Sequence, residues 1–403
     1  MTFQELHLIE PLLRAIKEEG YTEPTPIQAQ TIPALLEGKD VLGCAQTGTG
    51  KTAAFVLPIL QHLQKRTARS PRALILAPTR ELAAQIVQSI RIYGKFLRIN
   101  STAIFGGVPQ NPQVHALRRG VDIIVATPGR LLDLMNQGHI SLQEIEIFVL
   151  DEADRMLDMG FIDDIKKIIV RLPKKRQSLF FSATLEPKVV AFAKTLVHNP
   201  LHVTINPEKP TVELIQQKVY FVNKEKKDQL LYQILAQPEM KRVIVFTQMK
   251  HIANKVVEML HDHGIRAEAI HGNKSQGART ASLERFRKGT TKVLVATDIA
   301  ARGIDVEGIT HVINYELPVE PETYVHRIGR TARAGADGQA LSFCSAHETH
   351  ALRAIERMIH KQITIVRDNP FHSDMAMHST KIPPPMHYGR RPFRRNEGRQ
   401  RRR

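Results

Sequence analysis

The stretch Val41-Leu42-Gly43-Cys44-Ala45-Gln46-Thr47-Gly48-Thr49-Gly50-Lys51-Thr52 passes from five small or apolar residues through a glycine-rich run into an apolar segment at residues 53–60. The first five residues read as a buried strand and the segment after Lys51 as a helix, so the glycines occupy a strand-to-helix turn. In such a turn glycines let backbone N–H groups point inward on phosphate oxygens at a helix N-terminus. Gln46, Thr47, Gly48, Thr49 and Gly50 then form the cradle. Lys51 reaches the β- and γ-phosphates of a nucleoside triphosphate, and the Thr52 hydroxyl ligates Mg²⁺. Ala45 stands where the general pattern has its first glycine, a variation that keeps the strand end small.

On either side, short apolar runs alternate with longer amphipathic segments, the sequence form of a parallel sheet wrapped by crossover helices. Candidate strands fall at 41–45, 73–77, 101–105, 123–126, 147–150 and 178–181. Turn and linker chemistry follows, with Asn199, Pro200, Asn206, Pro207, Glu208, Lys209 and Pro210. A second series begins after it, at 219–222, 243–246, 267–270, 293–296, 311–314 and 340–343. Each half is therefore an α/β unit, one over residues 1–208 and one over 212–368, with the boundary near 207–211. From residue 369 the pattern fades into a disordered basic tail that holds Pro383, Pro384, Pro385 and repeated arginines.

A length of 403 residues fits two domains, and 42% hydrophobic with 24% charged residues is a globular composition. The formal charge of +17 points to a polyanionic partner, nucleic acid ahead of an anionic membrane. Nine basic residues and one acidic residue lie within 381–403, so the tail supplies eight of those charges and the lobes stay basic without it. Cys44 and Cys344 are far apart and have no ligand-type spacing, which argues against disulfides and structural zinc. The 18 histidines form no HExxH-like arrangement. No signal peptide is visible in residues 1–20, and no stretch approaches the ~20 apolar residues of a membrane span, so a cytoplasmic protein is expected.

A nucleoside triphosphatase also needs a carboxylate at the end of another strand. Phe148, Val149 and Leu150 lead into Asp151, Glu152, Ala153 and Asp154. Asp151 is the Mg²⁺-side candidate, and Glu152 is placed to orient and deprotonate the attacking water. With the phosphate loop upstream, Asp151-Glu152-Ala153-Asp154 resembles the signature of the DEAD-box RNA helicases of superfamily 2, over most of the chain from Phe3 to about Phe343. The resemblance implies two tandem RecA-like domains and an RNA-stimulated ATPase using ATP and Mg²⁺. Phe3 and the run from Gly20 to Gln28 look like the family's Q motif, which implies that Gln28 reads the adenine edge. Pro78, Thr79 and Arg80, then Gly106 and Gly107, then Thr127, Pro128, Gly129 and Arg130 resemble three RNA-contact motifs. All three follow candidate strands, where an α/β lobe binds ligands. Ser182 and Thr184 resemble the motif that couples hydrolysis to strand separation, and their hydroxyls can hold the 151–154 segment.

The second half has no phosphate loop, so its part in catalysis falls to arginines. Arg330 and Arg333 are three apart in His326-Arg327-Ile328-Gly329-Arg330-Thr331-Ala332-Arg333, and the resemblance makes them the arginine finger reaching the γ-phosphate across the cleft. The family usually has glycine where Ala332 stands. Residues 297–305 resemble a loop that meets both ligands, with Gly303 and Asp305 on the ATP side and Thr297 near RNA phosphate. Thr247, Gln276 and Arg279 resemble further RNA contacts, and the last two share one helical face.

The implied enzyme closes two lobes over ATP and single-stranded or short duplex RNA, contacting the backbone without reading sequence. Ribosomal or RNA-decay proteins are the implied partners, with no membrane partner and a monomeric core. The short N-terminus, Ala332 and the arginine-rich tail look most like the bacterial RhlE-type branch. A superfamily 2 DNA helicase is one rival, opposed by Gln28 and the 151–154 pattern. An ATP-gated RNA clamp or assembly scaffold is another, and it shares every residue named.

Overall fold

Two seven-stranded parallel sheets, built one after the other along the chain, carry the architecture. The computed structural model describes residues 1–45, 48–64, 70–205, 215–301, 306, 308–332 and 338–379. The first sheet is formed by β1 (Val41–Ala45), β2 (Ala73–Leu76), β3 (Ser101–Ile104), β4 (Ile123–Ala126), β5 (Ile147–Leu150), β6 (Gln177–Ser182) and β7 (Leu201–Ile205). The second is formed by β8 (Ile215–Phe221), β9 (Val243–Thr247), β10 (Ala267–Ile270), β11 (Val293–Thr297), β12 (His311–Asn314), β13 (Gly338–Cys344) and β14 (Thr364–Ile365). Their orders are β3-β4-β2-β5-β6-β1-β7 and β10-β11-β9-β12-β13-β8-β14, one topology used twice.

In the first sheet β2, β4 and β5 are apolar at every position because helices cover both faces. In the first sheet, Ile75, Val125 and Val149 pack into one layer with residues of the helix Lys51–Leu63. Their neighbours Leu74, Ile124, Phe148 and Leu150 pack into the opposite layer. The second sheet divides in the same way, with Val243, Val245 and Val295 on one side and Ile244, Phe246 and Leu294 on the other. Because the strands pair in parallel, each loop after a strand falls on one sheet edge, and the two packed faces hold it in place.

Strand β14 is a short edge piece outside the expected series, and three further features depart from the sequence pattern. Strand β7 lies where turn chemistry is expected; among the described residues it pairs with β1 alone and only Val203 is buried, and Asn199-Pro200 and Asn206-Pro207 on either side outweigh its short Leu-His-Val-Thr-Ile alternation. Strand β8 begins four residues before the expected 219, because Ile215, Gln217, Val219 and Phe221 are buried while Gln216 is exposed and Lys218 and Tyr220 are half-buried. The tail also begins later than residue 369. Residues 369–379 pack back on the second lobe: Ser373 N–H donates to the Phe221 carbonyl (3.0 Å), Thr349 Oγ1 donates to the Ser379 carbonyl (3.2 Å), and Ala376 is buried. This segment is mostly polar, and it is held by backbone hydrogen bonds that no hydrophobic periodicity reports. The expected linker at 207–211 and the arginine-rich part of the tail lie outside the described residues.

Lys227 opens the helix Lys227–Leu235 after β8, as Lys51 opens the helix after β1. Its amine donates to the carbonyls of Tyr315 (2.7 Å) and Phe343 (3.3 Å) and pairs with Glu348 at 2.6 Å. Glu348 also accepts from Leu317 N–H (3.0 Å) and from the N–H (2.9 Å) and hydroxyl (2.5 Å) of Ser345. Burial alone would raise the Glu348 carboxyl, but the Lys227 charge and these donors hold it below its ordinary value. Removing one partner of such a buried pair leaves an uncompensated charge and costs about 3 kcal/mol. Glu348→Ala is therefore expected to lower the stability of the second lobe by about that amount in urea denaturation, and adding Lys227→Met to that variant should restore most of it.

Candidate nucleotide and nucleic-acid cleft

Gly48 and Gly50 adopt φ of 89° and 91°, the left-handed conformation that turns the loop after β1 into a cradle. Lys51 is buried at the start of its helix, and its amine donates to the Ala45 carbonyl at the strand's end. Gln46 and Thr47 lie outside the described residues. Gln28 is buried beside this loop: its Oε1 accepts from Thr25 N–H (3.0 Å) in a capping box, and its Nε2 donates to the Gly50 carbonyl (3.2 Å). Gln28 thus ties the helix Pro26–Leu36 to the phosphate loop. Phe3, also buried, packs in the same core layer as that helix.

Asp151 and Glu152 follow β5 and are 2% and 4% exposed. Burial pushes Asp151 up to about 7 despite the nearby Lys51 charge, so this carboxylate needs further positive charge to stay ionised. Burial would also raise Glu152, but the charges of Arg155, Lys51 and Arg330 outweigh it and hold Glu152 below its ordinary value. Glu152 has φ of 53°, a strained backbone for a residue with a side chain. Asp154 Oδ2 accepts from the N–H groups of Ala183 and Thr184 (3.0 Å each) and from Thr184 Oγ1 (3.3 Å). Ser182 Oγ accepts a longer bond from Thr184 N–H (3.4 Å). One carboxylate thereby joins the loop after β5 to the loop after β6.

The other half of the same edge collects the loops after β2, β3 and β4. Thr79 caps the helix Arg80–Tyr93 by accepting from Leu82 N–H (3.2 Å). The Arg80 guanidinium lies so close to Gly107 that a Cβ there would stand 1.9 Å from it. Arg130 donates through both terminal nitrogens to the Val108 carbonyl (3.3 and 3.2 Å), and Thr127 and Pro128 open its helix, Pro128–Asn136, with Gly129. Gly106, Gly107 and these arginines are thus brought together along β3-β4-β2.

From the second lobe, Arg330 is 5% exposed and its Nε donates to the His326 carbonyl (3.2 Å). Ala332 has φ of 53°, the backbone that a glycine adopts without strain. Thr247 and Thr297 pair across β9 and β11. Thr247 is fully buried, and its hydroxyl donates to the Met249 carbonyl (3.4 Å), so that side chain serves its own loop. Gln276 and Arg279 cross to the first lobe, where Gln276 Nε2 donates to Glu81 Oε1 (2.9 Å) and Arg279 Nη2 lies 3.0 Å from the same oxygen. Gly303, Asp305 and Arg333 lie outside the described residues.

Residues 25–192 match the DEAD/DEAH box helicase family and residues 226–335 the helicase conserved C-terminal domain. The chain is 44% identical to the DEAD-box ATP-dependent RNA helicase CshA of Bacillus licheniformis over 357 residues, 89% of this chain and 73% of that protein. It is 43% identical to CshA of Bacillus subtilis, over 91% of this chain and 74% of that one. This chain belongs to the DEAD-box ATP-dependent RNA helicases. Among solved structures, S. cerevisiae Dbp5 bound to RNA and ADP BeF3 is 35% identical, covers 91% of this chain and 95% of its own, and superposes with a TM-score of 0.80. A Dbp5 variant bound to Nup159, a Gle1 variant, IP6 and ADP is 34% identical, covers 90% of this chain and 96% of its own, and reaches only 0.62. Sequence likeness is nearly equal in the two, and this DEAD-box helicase superposes better on the RNA- and ADP BeF3-bound structure.

Three residues of the cleft have no role of their own in the sequence reading. Glu81 belongs to the run Pro78-Thr79-Arg80-Glu81-Leu82 that resembles the first RNA-contact motif, and the resemblance assigns it no partner. Arg155 carries only the signal of its three-residue spacing from Glu152. Arg327 is buried against Asp298 with two bonds of 2.6 and 2.8 Å, beneath the Phe246 ring, which only the fold brings near. The Glu81 bridge yields a test of closure. Glu81→Gln removes the charge that Arg279 faces, and RNA affinity in the presence of ATP is expected to fall about tenfold or more. Fluorescence anisotropy with labelled single-stranded RNA measures it, and unchanged affinity would remove the bridge from closure.

Proposed function

We propose that this helicase parts short RNA duplexes and remodels ribonucleoproteins locally by closing its two lobes over ATP and RNA. The observation that carries this reading is the bridge from Glu81, on the helix after β2, to Gln276 and Arg279, on the helix after β10. It joins the RNA-side loops of one lobe to those of the other. Gln276 Oε1 and Arg279 Nε are buried without a hydrogen-bond partner among the described residues. Buried polar atoms of this kind support a further ligand, and a ribose-phosphate backbone offers both acceptors and donors. Arg80, Gly106, Gly107, Thr127, Gly129, Arg130 and Thr297 are read as the remaining backbone contacts.

In the closed state Lys51 binds the phosphates, and Glu152 accepts a proton from the attacking water as its oxygen bonds to the γ-phosphorus and the bond to ADP breaks. Arg330, facing Glu152 from the second lobe, stabilises the charge that develops on the γ-phosphoryl group, with Arg333 beside it by family resemblance. Asp151 and Thr52 fit Mg²⁺, because Asp151 is a buried carboxylate that lacks sufficient positive charge. When bound, Mg²⁺ would neutralise charge on the β- and γ-phosphates. Loss of the γ-phosphate removes what Arg330 holds, so the lobes part and release RNA.

The domains on this reading are 1–208 and 212–379, followed by a basic tail that adds salt-sensitive affinity. No described helix is long and apolar enough to cross a membrane, and we read the protein as cytoplasmic, a monomeric core working with ribosomal or RNA-decay proteins. The RhlE-type branch rests on Ala332 and the tail; the curated relatives named above carry the name CshA, which supports the wider family.

ATPase activity is expected to be low alone and to rise strongly with single-stranded or structured RNA but not with duplex DNA. Equal stimulation by both would sink the RNA reading. Glu152→Gln is expected to keep ATP and RNA binding and lose turnover by roughly 10²–10⁴-fold.

A further inference from the structure

Glu152 works as a base only if its carboxylate is aimed, and little in its own segment aims it. The residue precedes the six-residue helix Ala153–Asp158 and has a left-handed backbone. What meets its side chain within that segment is Arg155, whose Nη1 donates to Glu152 Oε2 at 2.8 Å. Both side chains are almost fully buried, at 6% and 5% exposure. The backbone of Arg155 is fixed as well, since its N–H donates to Asp154 Oδ1 (2.9 Å) while the other oxygen of Asp154 holds the loop after β6.

Arg155 is also the point where the first lobe meets a small cavity of the second. That cavity, of about 20 Å³, is lined by Arg155 together with Phe246, Asp298, His326, Arg327 and Arg330. Every one of these except Arg155 comes from the second lobe. Parting the lobes would return Arg155 to water, where a carboxylate–guanidinium pair is screened and holds its geometry weakly. With the lobes closed the pair is dry and rigid.

We propose that Arg155 is a positioning residue of the ATPase reaction, whose guanidinium fixes the Glu152 carboxylate through Oε2 and does so only while the second lobe covers it. Closure then both brings the arginine of the other lobe to the γ-phosphate and sets the base, so an open molecule holds ATP without aiming Glu152. This rests on Glu152 being the base.

The test is RNA-stimulated ATP hydrolysis by the full chain carrying Arg155→Met or Arg155→Lys. Arg155→Met is expected to lower kcat about 10²-fold, the cost of a misplaced catalytic group. The KM for ATP and the affinity for RNA should change less than about twofold, because a residue that acts through Glu152 alone contributes to the reacting state and not to holding either ligand. Arg155→Lys restores the charge and should recover part of kcat. In the Glu152→Gln background, Arg155→Met should cause no further loss, since a residue acting only through Glu152 has nothing left to position. Normal turnover in Glu152→Gln alone would overturn the base reading. Lost turnover there with unchanged kcat in Arg155→Met would overturn the positioning role alone. A parallel rise in the KM for ATP and loss of RNA affinity in Arg155→Met, without rescue by lysine, would reduce Arg155 to a structural residue.

Discussion

A parallel sheet offers free backbone to a ligand chiefly at the carboxyl ends of its strands, because the rest is paired laterally and roofed by helices. Both sheets of this helicase obey that constraint with the same strand order. The order β3-β4-β2 gathers the loops read as RNA contacts, and β5-β6-β1 gathers the phosphate loop, the Asp151–Glu152 pair and the Ser182–Thr184 loop. The ATP and RNA sites are thus neighbours along one edge, separated only by the boundary between β2 and β5. Asp154 stitches the ATP half together, and the contact of Arg80 with Gly107 does the same for the RNA half.

The cross-lobe contacts are mostly charged and buried, and this suits a molecule that must open again. A dry ion pair gains Coulomb energy but gives back much of it in lost hydration, so its net contribution is small, whereas breaking its geometry is costly. Glu81 with Arg279 is a cross-lobe pair of this type, and Arg155 with Glu152, at the cavity between the lobes, is a dry pair of the same chemistry within one lobe. An apolar interface of the same size would hold the lobes shut; a charged one lets the presence of ATP and RNA decide.

The fold was legible because buried parallel strands are largely apolar, as β2, β4 and β5 are throughout. What was missed lies at edges. Leu201–Ile205 and Thr364–Ile365 each pair with one neighbour and expose most of their residues, and 369–379 is fastened by hydrogen bonds to its own backbone. In the site, residue type and spacing located the loops but not their partners. Gln28 reads as an adenine contact and is found linking Thr25 to Gly50. Thr247 and Arg279 read as RNA contacts; the Thr247 hydroxyl is turned into its own loop, while Arg279 meets Glu81 through Nη2 and keeps a buried Nε for a further partner. Arg155 was hidden because a charge three residues from another is usually a solvated helix pair.

Lys227 lies as far beyond the end of β8 as Lys51 lies beyond β1, and Tyr315, whose carbonyl it meets, directly follows β12 as Asp151 follows β5. Where one lobe keeps a place for phosphate, its counterpart has filled the same place with the carboxylate of Glu348. A protein with two live copies could load and fire them in turn and so walk along a strand. With one copy plugged by its own anion, the duplicated fold keeps a single place for phosphate among the described residues, so the second lobe can answer to ATP only through what it presents to the first.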